Sequence, residues 1–176
     1  MRVSNPDPYL FLHNFCNKQK NEPNASSFNP QATDASILVF GMTCVDTVWK
    51  CDQPVQPGGK SNFAAVYKSV GGVGANLARA VVRSQNSPPV NFVTAVGSDS
   101  EGSEAIKELK TEMNVLPKIP ENQVTGQYMC VVEPTGELNV AAQDMELAKI
   151  HLTPSPEVVK SSALILTDLN FSKVRS

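Results

Sequence analysis

The chain has 176 residues, 41% of them hydrophobic and 18% charged, enough for one globular core and short for two. A formal charge of −2, with no block of lysine and arginine to neutralise phosphates, excludes an electrostatic nucleic-acid binder and favours a small-molecule partner. Cys16, Cys44, Cys51 and Cys130 form no C-x-x-C pair, and His13 and His151 complete no zinc spacing, so no metal site is expected; reduced thiols are, with Cys44 and Cys130 packed as small buried residues.

Residues 1–34 are rich in Asn, Gln, Pro and Ser without sustained periodicity and read as a disordered extension or linker, in which only Tyr9 to Phe15 could dock. Asp7 and the prolines beside it break any signal-peptide core, and no apolar run approaches the roughly 20 residues that span a bilayer, so a cytoplasmic protein with no membrane partner is expected. Order should begin near Ser36, where Ile37-Leu38-Val39-Phe40 ends at Gly41 as a strand buried on both faces. That places Met42 to Asp46 at the strand's C-terminal end. A helix from about Ala75 to Val82 follows, then a polar turn with Pro88-Pro89 and a second buried strand, Val90 to Val96.

Ser98 and Glu101 have capping-box spacing ahead of Ala105, Ile106 and Leu109, which predicts a helix over 101–113. Tyr128 to Val132 and Glu137 to Ala142 flank Pro134-Thr135-Gly136, a turn signal, and their mixed faces predict an antiparallel flap. Ser155-Pro156-Glu157 supplies an N-cap, a first-turn proline and an early acid, and Ala163 to Leu166 reads as a further buried strand. Strands alternating with helices indicate an α/β fold with a mainly parallel, Rossmann-like sheet, whose ligand sites lie beyond the strands' C-terminal ends. Asp46, Gly97, Asp168 and Asn170 all fall there.

Gly71-Gly72-Val73-Gly74-Ala75-Asn76-Leu77-Ala78 joins a glycine-dense turn to one polar side chain and an apolar helical run. Three chemistries compete for it. A dinucleotide fingerprint needs G-x-G-x-x-G straight after the first strand, but Gly72-Val73-Gly74 leads to Leu77 and lies about thirty residues beyond Gly41. A P-loop is suggested by Gly59-Lys60-Ser61, but Pro54 stands where its first glycine should be, which leaves Lys60 as a solvated loop charge. The third is a sugar clamp, in which the Asp46 carboxylate accepts from two vicinal hydroxyls, the Gly71-Gly72 turn admits the sugar and Asn76 both donates and accepts. Each residue also has a plain reading: Asp46 and Asn76 as local caps, the glycines as helix-entry geometry, and Asp99 as a helix start.

Gly41 and Asp46 after the first strand, the GGVGANLA turn and Gly97-x-Asp99-x-x-Gly102 together resemble, in order, the N-terminal part of ribokinase-like (PfkB) carbohydrate kinases. The hairpin around Thr135-Gly136-Glu137, Asp144-Met145, and Ala163 to Asn170 are similar to the pseudouridine kinases within that family. The resemblance covers about residues 36–170. It implies a partial kinase domain over 35–176, with a small β lid from strands at about 50–70 and 126–143, through which a homodimer could form. It implies that Asp46, Gly71, Gly72 and Asn76 hold ribosyl hydroxyls, that Thr125 and Tyr128 line the base side, and that Asn170 approaches the sugar. The reaction it implies is phosphoryl transfer from ATP, with Mg2+, to the 5′-hydroxyl of a C-nucleoside such as pseudouridine. The family's catalytic aspartate sits in a G-A-G-D-like motif that these 176 residues do not contain. The expectation is therefore an acceptor-binding half, inactive alone, without the half that binds ATP. A sugar kinase of ribokinase or adenosine kinase type, and a non-catalytic α/β interaction module, stay open beside it.

Overall fold

The computed structural model describes residues 36–58, 61–168 and 170. The expectations for residues 1–34 and for Gly59 and Lys60 lie outside them. The apolar run after Asp34 forms β1 (Ser36–Phe40), with Leu38 and Val39 fully buried. On one side it pairs in parallel with β4 (Val90–Ala95), which pairs with β5 (Asn114–Lys118); on the other it pairs in parallel with β8 (Ser162–Thr167). The sheet order is β5-β4-β1-β8.

Two helices cover one face of this sheet. The first, α1 (Val73–Val82), brings Ala75 and Ala78; the second, α2 (Ser100–Leu109), brings Ile106 and Leu109. They close on Val39, Phe92, Val96 and Val115. The opposite face is covered more thinly, with Leu152 and Val158 of the short helix α3 (Pro156–Lys160) against Leu38, Val93 and Ala95. Ser155 caps α3 by accepting from the Val158 N–H at 3.4 Å, as its spacing with Pro156 predicts.

A second sheet has the order β3-β2-β6-β7, from β2 (Cys44–Cys51), β3 (Ala64–Gly71), β6 (Gly126–Val132) and β7 (Leu138–Asp144). The hairpin partners β6 and β7 are antiparallel as predicted, and β2 joins them in parallel register to β6. This lid sheet begins at residue 44, earlier than the expected 50. Asp46 therefore stands inside a lid strand and not in a loop after β1.

Three further boundaries differ from expectation. Helix α1 starts at Val73 because Gly72 adopts φ 98°, a left-handed turn that delivers the chain into the helix with no side-chain cap. Helix α2 stops at Leu109, short of 113: the Thr111 hydroxyl bonds back to the Glu108 carbonyl at 2.7 Å, and the Thr111 and Glu112 N–H groups bond three residues back. Its N-cap is Asp99 and not Ser98, since the Asp99 carboxylate accepts from the Gly102 N–H at 2.8 Å. The run Ala163 to Leu166 is a strand but not a buried one. β8 is the sheet's edge, and Leu164 and Ile165 are 48% and 50% exposed.

Candidate functional site

Asp46 lies opposite Ser69 of β3 and Tyr128 of β6. Residues directly opposite in a sheet share a face, so Ser69, Asp46 and Tyr128 form a polar row across three strands. Two residues back on the same strand, the Cys44 thiol donates to Asp46 Oδ1 at 3.1 Å. Gly71, opposite Cys44, completes the seat: a Cβ there would overlap the Asp46 carboxylate and force it out of this orientation.

This carboxylate is under tension. Burial pushes its pKa above the ordinary carboxylate range, while the Cys44 hydrogen bond and the Arg79 charge pull the other way without cancelling it. Arg79, on α1, is itself held by the Val70 carbonyl at 2.6 Å and by Glu108 and Glu112, so its charge is shared. Burial, then the Asp46 charge and the hydrogen bond to it, push the Cys44 thiol far up, so it stays protonated. Cys130, hydrogen-bonded with Tyr128, is also raised, by burial and by the Asp46 charge.

The glycine turn is a joint as much as a cradle. A Cβ at Gly72 would come within 2.5 Å of the Met42 carbonyl, and Gly74 packs directly on Gly41. The Ala75 N–H donates to that same Met42 carbonyl at 3.2 Å. Met42 is held from its other side: its N–H donates to Asp168 Oδ2 at 2.8 Å, and Asp168 Oδ1 accepts from the Asn170 N–H at 3.1 Å. The ends of β1 and β8 and the start of α1 are thus drawn together around Met42. Asn76 stands exposed in the first turns of α1, its backbone N–H on the Gly72 carbonyl at 2.9 Å. Asn170 is exposed too.

Thr125 occupies a different setting. It is fully buried, its hydroxyl donates to Asp99 Oδ1 at 2.6 Å and accepts from the Gly97 N–H at 3.0 Å, and its N–H donates to Asp99 Oδ2 at 2.8 Å. Burial opposes ionisation of Asp99, but the Thr125 hydroxyl, then the Thr125 and Gly102 N–H groups, outweigh it and hold this carboxyl below its ordinary range. Gly97, Asp99 and Gly102 of the G-x-D-x-x-G motif thus form the footing of β6. Its polar groups face one another.

Sequence reasoning missed the role of Cys44 and gave Asp168 a place but no role. Cys44 was expected as packing, and a lone cysteine two residues from an acid carries no pattern; Asp168 lay beyond a strand end, the only signal available. A groove of about 530 Å3 on the opposite face of the parallel sheet, between Val93, Leu116, Leu152 and Val158, contains none of these residues. Among the described residues no helix is long and apolar enough to cross a membrane, and no three His, Cys, Asp or Glu gather where they could hold a metal ion.

Residues 34–169 match the model of the pfkB family carbohydrate kinases. No curated protein matches the chain. Among solved structures, a carbohydrate kinase from Agrobacterium tumefaciens is 25% identical with a TM-score of 0.68, over 78% of this chain and 46% of its own. Ribokinase from Giardia lamblia is 24% identical with a TM-score of 0.65, over 78% and 46%. Ribokinase from Arabidopsis thaliana, complexed with ribose and ATP, is 19% identical with a TM-score of 0.64, again over 78% and 46%. The fold is thus α/β and ribokinase-like, and the chain spans under half the length of these structures.

Proposed function

Because the chain belongs to the pfkB family of carbohydrate kinases, we propose that its Asp46 face holds the sugar acceptor of an ATP-dependent phosphoryl transfer. The observation that carries this is the seating of Asp46: a half-buried carboxylate with a raised pKa, in a notch that Gly71 leaves open. A partly desolvated carboxylate that keeps acceptor positions free of protein donors gains from ligand hydroxyls. Its two oxygens suit the vicinal hydroxyls of a ribosyl ring, and Asn76 supplies a donor and an acceptor at the start of α1. Tyr128 extends the row toward a base, Asn170 reaches the sugar from the end of β8, and Thr125 acts from beneath, fixing the root of β6. Closure of the lid would exclude water from the acceptor hydroxyl.

The acceptor of this reading is the 5′-hydroxyl of a ribonucleoside, pseudouridine first among them, in a cytoplasmic setting. ATP with Mg2+ is the phosphoryl donor. The part the described residues perform is to bind, orient and desolvate the acceptor. With no G-x-G-D motif in the sequence, the 176-residue chain does not turn over ATP by itself. A homodimer through the lid is supported by Trp49, Val66, Met129 and Val140, all exposed and all placed by register on the lid face opposite Asp46.

Calorimetric titration of the chain with pseudouridine, adenosine and ribose tests the reading. Binding of pseudouridine ahead of the others supports it in full; ribose binding best moves the acceptor to the ribokinase type; no heat from any of the three overturns it. ATP-dependent phosphorylation by the purified chain would overturn the claim of inactivity. Sedimentation of wild type and Trp49→Asp tests the dimer, which the substitution should dissociate.

A further inference from the structure

The two oxygens of Asp46 are placed by two different neighbours, neither of which brings a charge. Oδ1 accepts from the Cys44 thiol at 3.1 Å, and Oδ2 lies closest to the position a Cβ on Gly71 would occupy. Cys44 and Gly71 are themselves directly opposite across β2 and β3, so the side chain that donates and the side chain that is missing act at one point of the sheet. We propose that Cys44 and Gly71 are positioning residues for Asp46, the thiol fixing one oxygen and the bare glycine receiving the other, so that the carboxylate meets a sugar in one orientation. This inference rests on the sugar-binding reading of the Asp46 face.

The thiol suits the task because it takes one of the carboxylate's roughly four acceptor positions and leaves the rest for ligand hydroxyls. A backbone N–H or a lysine would bind the carboxylate more strongly and leave it less to offer. Burial and the neighbouring Asp46 charge keep Cys44 protonated, so it remains a donor throughout the neutral range and is a poor nucleophile. The other titratable or charged groups facing Asp46 are Arg79 from α1 and Cys130 and Tyr128 from β6. Arg79 is committed to the Val70 carbonyl and to Glu108 and Glu112. Among the described residues Cys44 is therefore the one side chain with a direct hydrogen bond to this carboxylate.

The test compares Cys44→Ala, Cys44→Ser, Gly71→Ala and Asp46→Asn in the full chain with two readouts. One is the titration midpoint of the Asp46 carboxyl carbon, followed by NMR without ligand. The other is the affinity for pseudouridine, or for ribose if that binds better, as a function of pH. Loss of a hydrogen bond to a charged group should weaken binding about tenfold in Cys44→Ala, raise the midpoint, and move the acidic limit of binding to higher pH. Cys44→Ser, which keeps a donor, should restore both to within about twofold of wild type. Gly71→Ala should weaken binding about tenfold or more with the thiol intact; should it unfold, the two Cys44 variants decide alone. An unmoved midpoint and wild-type affinity in Cys44→Ala, with binding lost in Asp46→Asn, would overturn the inference and leave the site reading intact. Wild-type affinity in Asp46→Asn would instead overturn the site reading.

Discussion

Two aspartates, Asp46 and Asp99, stand near glycine turns at the entrances to α1 and α2, and the fold treats them in opposite ways. Asp99 accepts from Gly102, from the Thr125 N–H and from the Thr125 hydroxyl, and its pKa is held down. Asp46 accepts from one thiol, is more deeply buried, and its pKa is pushed up. The first carboxylate is saturated by its own chain and so contributes to stability. The second keeps acceptor positions free of protein donors, and its partial burial costs stability, which is the pattern of a group kept for a ligand.

The largest effect should come from breaking the saturated site. Asp99→Ala removes the N-cap of α2 and strands the Thr125 hydroxyl and N–H in the interior, a loss of about 3 kcal/mol by urea denaturation. Thr125→Val, which strands the Gly97 N–H and takes one of two donors from Asp99 Oδ1, should cost about 2 kcal/mol. Because the folded Asp99 pKa lies below its unfolded value, its contribution is full above the ordinary carboxylate range and is lost as pH falls through the lowered folded value. Asp99→Asn should lose that acid limb. A loss under about 1 kcal/mol in Asp99→Ala would remove the contrast between the two sites.

Asp46→Asn should act in the reverse sense. Sugar affinity should fall by about 2 kcal/mol, some thirtyfold by calorimetry, as a charged acceptor is lost. Stability should hold or rise slightly. The folded Asp46 pKa lies above its unfolded value, so the wild type is favoured below the unfolded value and loses that advantage as pH rises through the folded one. Asp46→Asn should flatten that slope in a pH series of urea midpoints. A variant that both binds normally and unfolds more easily would make Asp46 structural.

How much of this was legible beforehand follows from burial. β1, α1 and β4 pack into the parallel sheet's core, so their apolar runs carried a clear signal in Ile37 to Phe40, Ala75 to Val82 and Val90 to Val96. The lid strands are exposed over much of both faces, and β3 reads Ala-Ala-Val-Tyr-Lys-Ser-Val-Gly with no alternation to mark it. β5 was missed because Pro117 interrupts it, as an edge strand permits. The motif residues Asp46, Gly72 and Asp99 were visible as types at spacings, but the role of each depended on partners distant in sequence. Asp168 reaching Met42 and Thr125 reaching Asp99 are pairings that no local pattern contains.

Asn76→Ala should have a smaller effect on the functional side. Its side chain is exposed, so the substitution leaves nothing buried unpaired and removes a residue of modest helix propensity, for a gain of about 0.5 kcal/mol in stability. Sugar affinity should fall by about 1 kcal/mol, roughly fivefold, the usual worth of a neutral hydrogen bond. Unchanged calorimetric affinity in this variant would confine the site to Asp46 and the lid.

The smallest effect belongs to the tether between the two regions. Glu101, in the first turn of α2 next to the Asp99 cap, accepts from Lys68 of β3 at 3.0 Å and from Gln127 of β6 at 2.7 Å. Both partners lie on the lid face opposite Asp46, because side chains alternate along each strand and Thr47 and Val45, not Asp46, stand across from them. The Lys68 side chain is 61% exposed, so its pair with Glu101 should contribute about 0.5 kcal/mol and fade as salt is raised. A double-mutant cycle of Lys68→Ala and Glu101→Gln, read by urea denaturation at low and high salt, should return that coupling while sugar affinity stays at the wild-type value. If affinity instead fell together with the coupling, the placing of the lid's Asp46 face would depend on the footing at Asp99. The saturated carboxylate and the open one would then be two ends of one mechanical element.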